Sequence, residues 1–211
     1  MSIEVEMRGP LSEERFKELR SFLKNNGEFL GKKNRLSLIY FEGDEIPEDV
    51  EEIMNKKIDL KLRITNGEAE IVLKHGEWRS SDEREEYIVQ FDSRDFEDAI
   101  RILKALGWHM CIVNRKNTYK FKYGGIDFSL THLPTFGYQF EAEILTEDGD
   151  RAEQKKEEIL ETLDKLDLEV YSEEEFKQLC NRLNNTEEIQ YDFYEDSPDG
   201  IRKNFGGFFP E

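Results

Sequence analysis

In the stretch IEVEMRG (Ile3–Gly9), apolar and charged residues alternate strictly. At the two-residue period of a strand, Ile3, Val5 and Met7 fall on one face and Glu4, Glu6 and Arg8 on the other. Two carboxylates and a guanidinium in line suit either a solvated strand face or a wall that looks into a charged cavity. The same pattern recurs along the chain. In DLKLRIT, Leu60, Leu62 and Ile64 oppose Lys61 and Arg63. In EIVLK, Ile71 and Leu73 oppose Glu70, Val72 and Lys74. Arg84 and Glu86 lie opposite Glu85, Tyr87, Val89 and Phe91, and Gln139, Glu141 and Glu143 lie opposite Phe140, Ala142 and Ile144. In NRKNTYKFKY, Asn114, Lys116, Thr118, Lys120 and Lys122 oppose Tyr119, Phe121 and Tyr123.

Helical segments separate these strands. LSEERFKELRSFLKNNG places Phe16, Leu19, Phe22 and Leu23 on one stripe, with Ser12 as N-cap and Gly27 as stop. Pro47 opens a short helix, and SRDFEDAIRILKALG starts on Ser93 and buries Phe96, Ile100, Leu103 and Leu106. Asn66-Gly67 predicts a type I′ hairpin turn, and Gly124-Gly125 a second hairpin. Two further helices are expected over 151–166 and 173–183, the second opened by a Ser172/Glu175 capping box. Residues 1–184 read as one domain, and 185–211 as an irregular acidic and aromatic tail. That tail is expected to cap one end of the site or to mediate self-association as a homodimer.

The apolar stripes of the helices need partners, and the apolar strand faces supply them. A flat sheet would give its charged faces to water. A sheet curled into a closed or nearly closed antiparallel barrel of about eight strands would line a tunnel with them. The charge types favour the barrel, in an α+β fold. Glu4, Glu6, Glu141 and Glu143 offer oxygen ligands that suit Mg²⁺ or Mn²⁺. Arg8, Lys61, Arg63, Lys74, Arg84 and Lys116 suit a polyphosphate. Neither set is stable buried alone, and a bound metal with a bound anion satisfies both.

Composition narrows the functional classes. The 211 residues carry 30 Lys and Arg against 48 Asp and Glu, a net charge of −18, which opposes nucleic acids and anionic membranes. No apolar run is long enough to span a bilayer, and no basic segment precedes an apolar one, so a cytoplasmic protein is expected. Cys111 and Cys180 have no metal-type spacing, and His75, His109 and His132 are scattered, which speaks against zinc.

The ordered motifs resemble the CYTH superfamily of triphosphate tunnel metalloenzymes, which includes class IV adenylate cyclases, thiamine triphosphatases and inorganic triphosphatases. EVEMR is similar to the family's opening ExExK, with Arg8 for the usual Lys, and LKLR to its LRxR, with Lys61 for the first Arg. AEIVLKHG supplies the hairpin Lys as Lys74, and Arg84 with Glu86 resembles the RxE strand. NRKNTY resembles KxRxxY with Lys116 at the Arg position and Asn114 at the Lys position, and FGYQFEAE resembles the closing LGxFxEIE. Thr131 stands where the family often has an acid.

The resemblance implies a phosphohydrolase that depends on Mg²⁺ or Mn²⁺ and acts on inorganic, nucleoside or thiamine triphosphate. Glu4, Glu6, Glu141 and Glu143 would hold metal. Arg8, Lys61, Arg63, Lys74, Arg84 and Lys116 would bind substrate, with Glu4, Glu6, Lys74 and Arg84 catalytic. The alternatives are a cyclase that makes cyclic AMP and pyrophosphate from ATP, and a non-catalytic polyphosphate- or nucleotide-binding module.

Overall fold

A computed structural model describes residues 3–54, 58–75, 85–146 and 151–210. Among the described residues, six α-helices accompany nine strands: β1 (Ile3–Leu11), α1 (Glu13–Asn26), β2 (Glu28–Phe41), α2 (Val50–Met54), β3 (Ile58–Thr65), β4 (Glu68–His75), β5 (Glu85–Phe91), α3 (Phe96–Ala105), β6 (Met110–Tyr123), β7 (Ile126–Leu133), β8 (Gly137–Thr146), α4 (Ala152–Lys165), α5 (Glu173–Asn184), β9 (Gln190–Asp192) and α6 (Asp199–Phe205). The hydrogen-bonded strand order is β1-β8-β7-β6-β2-β3-β4-β5, with β9 added to β6. The pairings β1/β8, β7/β8, β6/β7, β2/β3, β3/β4 and β4/β5 are all antiparallel. The fold is therefore α+β. Among the described residues, the strands at the two ends of that order, β1 and β5, do not pair with each other, so hydrogen bonds leave the sheet open.

The chain divides into two compact units, residues 1–33 with 116–176 and residues 34–115 with 177–211. Each has its own core. In the first, α1 and α4 cover the apolar faces of β1, β6, β7 and β8, bringing Phe16, Leu19, Leu23, Ile159 and Leu163 against Phe121, Phe128, Phe140 and Ala142. Ser12 caps α1 by accepting from the Arg15 N–H at 3.0 Å. Phe22, placed on the buried stripe by the sequence, is 37% exposed at its margin. Gly9 permits a close crossing: a Cβ there would collide with the Glu169 carbonyl, where Tyr171 N–H donates to the Arg8 carbonyl at 2.8 Å.

In the second unit, Leu36, Leu38, Leu60, Leu62 and Ile64 meet Phe96, Ile100 and Leu103 of α3. Asn66 and Gly67 take φ of 52° and 91° in the β3–β4 turn, the pair of positive values a type I′ hairpin needs. Leu106, expected on the buried stripe, is 70% exposed because α3 stops at Ala105 and Gly107 turns the chain away with φ 89°. Ala99 takes part in that core instead.

The C-terminal residues, expected to be irregular, contain β9 and α6 and close this second core. Phe193 and Ile201 are fully buried there and Phe209 nearly so. Met110, Cys111 and Ile112 of β6 pair with β9. His109 Nδ1 lies 2.7 Å from Asp192 Oδ1, and its Nε2 lies 3.1 Å from Asp44 Oδ1. Arg202 donates twice to Glu97, at 2.8 and 3.0 Å, and its guanidinium sits 4.1 Å from the Phe209 ring centroid. Burying each such Phe or Ile contributes about 1.5–3 kcal/mol.

Candidate functional site

Alternation sends one face of most strands to a core and leaves the other charged, and the strand registers decide which charges meet. β5 departs from this: it is exposed on both faces over residues 85–90, with Tyr87 and Val89 54% and 61% exposed where the sequence placed an apolar face. In the first unit, Glu6 of β1 lies opposite Glu143 of β8, which lies opposite Asp127 of β7, which lies opposite Lys122 of β6. One row along, Arg8 faces Glu141, then Ser129, then Lys120. Arg8 Nε contacts the Glu6 carboxylate and lies 3.4 Å from Glu141 Oε1, while Lys122 Nζ is 3.4 Å from Asp127 Oδ1. Directly opposed carboxylates repel. The row Glu6–Glu143–Asp127 thus favours cations, and Arg8 and Lys122 supply part of that charge.

Glu4 lies on the same strand, in register with Leu145, and its side chain is outside the described residues. Lys116 is half-buried and sits, by alternation along β6, on the face of Lys120 and Lys122. At the family's acidic position, Thr131 is 3% exposed and its hydroxyl lies 2.9 Å from that of Thr118.

In the second unit, opposite charges meet. Arg63 faces Glu70, and Asp59 faces Lys74, which faces Glu86. Arg63 Nε is 3.3 Å from Glu70 and its Nη2 is 3.8 Å from Glu86, with Lys74 Nζ 3.5 Å from the same Glu86 oxygen. Lys61 Nζ donates to Asp59 Oδ2 at 2.6 Å. This face is not an open solvated wall. The Arg63 and Asp59 side chains are only 14% and 11% exposed, and Val72 among them is completely buried. Arg35, on the same face of β2, donates to Thr65 Oγ1 at 2.9 Å, and burial holds its pKa below the usual arginine value.

The structure therefore gathers Glu6, Arg8, Glu141 and Glu143 on one unit's face and Lys61, Arg63 and Lys74 on the other's. Arg84 lies outside the described residues. Asp127, Asp59 and Arg35 were not picked out from the sequence. Their signal was present as alternation in IDFSLT, IDLKLR and NRLSLIY, but only register reveals their partners.

Among the described residues, no three His, Cys, Asp or Glu side chains are gathered closely enough to hold an ion by themselves. The donor set still fits a hard divalent ion. Mg²⁺ commonly takes one or two carboxylates and completes its shell with water and substrate phosphate oxygens. Glu6, Glu141 and Glu143 offer such oxygens from adjacent strands. Among the described residues, no helix is long and apolar enough to cross a membrane.

Comparison with known proteins follows the same outline. Comparison with curated proteins gives no match. Among solved structures, the chain is similar to the PH1819 protein of Pyrococcus horikoshii OT3, with 21% identity, coverage of 85% of this chain and 99% of that one, and a TM-score of 0.62. It is also similar to a candidate adenylate cyclase of Vibrio parahaemolyticus, with 15% identity, 85% and 97% coverage, and a TM-score of 0.57. A third is a candidate adenylyl cyclase of Hippeastrum, whose structure is described as revealing a dominant triphosphatase activity, with 17% identity, 82% and 91% coverage, and a TM-score of 0.52. These likenesses concern the fold. The CYTH domain model matches residues 2–176, most of the chain and every motif discussed above, and the chain thus belongs to the CYTH domain family.

Proposed function

We propose that the protein is a divalent-metal-dependent phosphohydrolase acting on a triphosphate-containing small molecule: inorganic triphosphate, a nucleoside triphosphate or thiamine triphosphate. The observation that carries this reading is the gathering of charge within a CYTH chain, carboxylates in register beside Arg8 on one unit and cations shielded by Asp59, Glu70 and Glu86 on the other. A tunnel of about eight strands lined by these faces belongs to the same proposal.

In this reading Glu4, Glu6, Glu141 and Glu143 hold Mg²⁺ or Mn²⁺. The ion supplies charge neutralisation and polarisation of the phosphoryl oxygens. Arg8, Lys61, Arg63, Lys74, Arg84 and Lys116 bind the triphosphate and offset charge that develops as the phosphoryl group transfers. Lys61, Arg63 and Lys74 do so by exchanging Asp59, Glu70 and Glu86 for phosphate oxygens. A Glu or Lys of these faces accepts the proton of the attacking water. A non-catalytic binding module is the second reading. It draws on Thr131, buried and bonded to Thr118 at a position where the family resemblance often puts an acid, and on Asn114 at the family's Lys position.

The test is a product assay with Mg²⁺ or Mn²⁺ and inorganic triphosphate, ATP or thiamine triphosphate, using Glu4→Gln/Glu6→Gln as control. Orthophosphate release that vanishes in the control is the expected result. Cyclic AMP with pyrophosphate would instead assign the cyclase. Binding that depends on metal, without turnover, would leave the module.

A further inference from the structure

Lys61 occupies an unusual row. Its cross-strand neighbours are Ile39 on β2 and Val72 on β4, and Val72 in turn faces Ile88 on β5. An ammonium flanked by apolar side chains loses much of its hydration. Its support comes from the neighbouring row, where Asp59, two residues earlier on the same strand and face, accepts its hydrogen bond at 2.6 Å. Asp59 is itself 11% exposed. The other charges on this face are Arg63 on β3, Arg35 on β2, Glu70 and Lys74 on β4, and Glu86 on β5.

We infer that Asp59 is a positioning residue for Lys61, fixing its ammonium on the charged face and keeping it cationic until an anion replaces the carboxylate. The link to substrate rests on the triphosphate reading above; the coupling of the two side chains does not. The electrostatics agree with the geometry. Burial pushes the Lys61 pKa down, Asp59 pushes it back up, and Arg63 and Lys74 push it down again, leaving it below the usual lysine value. A lysine is cationic below its pKa and loses that charge as pH rises through it. Without Asp59 the loss comes at lower pH.

The experiment follows the Lys61 ε-carbon by NMR across an alkaline titration, in the wild type and in Asp59→Asn, with the resonance assigned through Lys61→Met. Calorimetric binding of inorganic triphosphate is measured over the same pH range. The Lys61 titration is expected to move to lower pH in Asp59→Asn. Triphosphate affinity should fall by about tenfold on the alkaline side, the worth of one charge-assisted contact, and recover towards neutral pH. An unmoved Lys61 titration overturns the inference, and so does an affinity loss equal at every pH, which would mark a merely structural role. A wild type that binds no triphosphate defeats the proposed function, while the NMR titration still decides the coupling. Should Asp59→Asn fail to fold, the double variant Asp59→Asn/Lys61→Met is expected to fold, because the pair leaves together. A double variant that fails where Lys61→Met folds also overturns the inference.

Discussion

The two charged faces solve opposite electrostatic problems. On the first unit, the register sets carboxylate against carboxylate across β1, β8 and β7. On the second, it sets Arg63 against Glu70 and Lys74 between Asp59 and Glu86. The first arrangement accumulates like charge that Arg8 and Lys122 offset only in part, and so favours an incoming cation. The second carries its own counterions, so an incoming anion must displace carboxylates already in place. This contrast teaches that the acid row keeps a repulsion that its neighbouring cations relieve only in part, whereas on the cation face each charge is matched and removing one partner strands the other.

The sharpest way to break this contrast is to neutralise the acid face. Glu6→Gln or Glu143→Gln should lower turnover by about 10²–10³-fold or more, as expected when a transition-state contact is lost. Thermal unfolding without metal should shift little, because each variant removes a repelling pair while Glu6→Gln also gives up its ion pair with Arg8. A turnover defect accompanied by a large loss of stability would erase the distinction. Next in size is the cation face. Arg63→Met leaves Glu70 and Glu86 without the guanidinium that both contact. It should cost roughly 2–4 kcal/mol in denaturant unfolding, and raise the KM for triphosphate.

Core truncation then tests the independence of the units. Phe140→Ala in the first and Leu62→Ala in the second should each cost about 2–5 kcal/mol. With no shared core neighbour among the described residues, their double variant should be additive. A smaller effect of opposite sign comes from Glu70→Gln, which weakens a counterion of Arg63 and should tighten triphosphate binding about two- to fivefold by calorimetry. The smallest concerns thiol reactivity. Cys111 is wholly buried in the second core, which pushes its thiol pKa up, whereas Cys180 is half-buried. Native protein should react with a thiol reagent at Cys180 first, with Cys111 following only as the second unit opens.

Much of this was legible in the residues themselves. Ser12, Gly27, Asn66-Gly67 and Gly124-Gly125 mark local backbone states, and local chemistry reads them correctly. The charged and apolar faces follow from period-two alternation, because a strand leaves no other choice. What stayed hidden depends on contacts distant in the chain. Glu70 becomes a counterion of Arg63, and Asp59 a neighbour of Lys74, only once β3 and β4 are set in register. β9 spans three residues and exists through its pairing with β6, so no window of sequence announces it. Phe22 and Leu106 have the right period for burial but lie at the margin or just past the end of their helices. Glu4 and Arg84 rest on the family resemblance.

The C-terminal residues that close the second core also set a timetable. A ribosome makes β2, β3 and α3 early and Phe193, Ile201 and Phe209 much later, so the nascent second unit holds an apolar surface uncovered until those residues arrive. The first unit has all its strands and both covering helices by residue 176. A gene shortened to the span of the family match would keep this exposed state permanently. It would present the cell with a finished first unit attached to an unfinished second one, a substrate for chaperones and proteases.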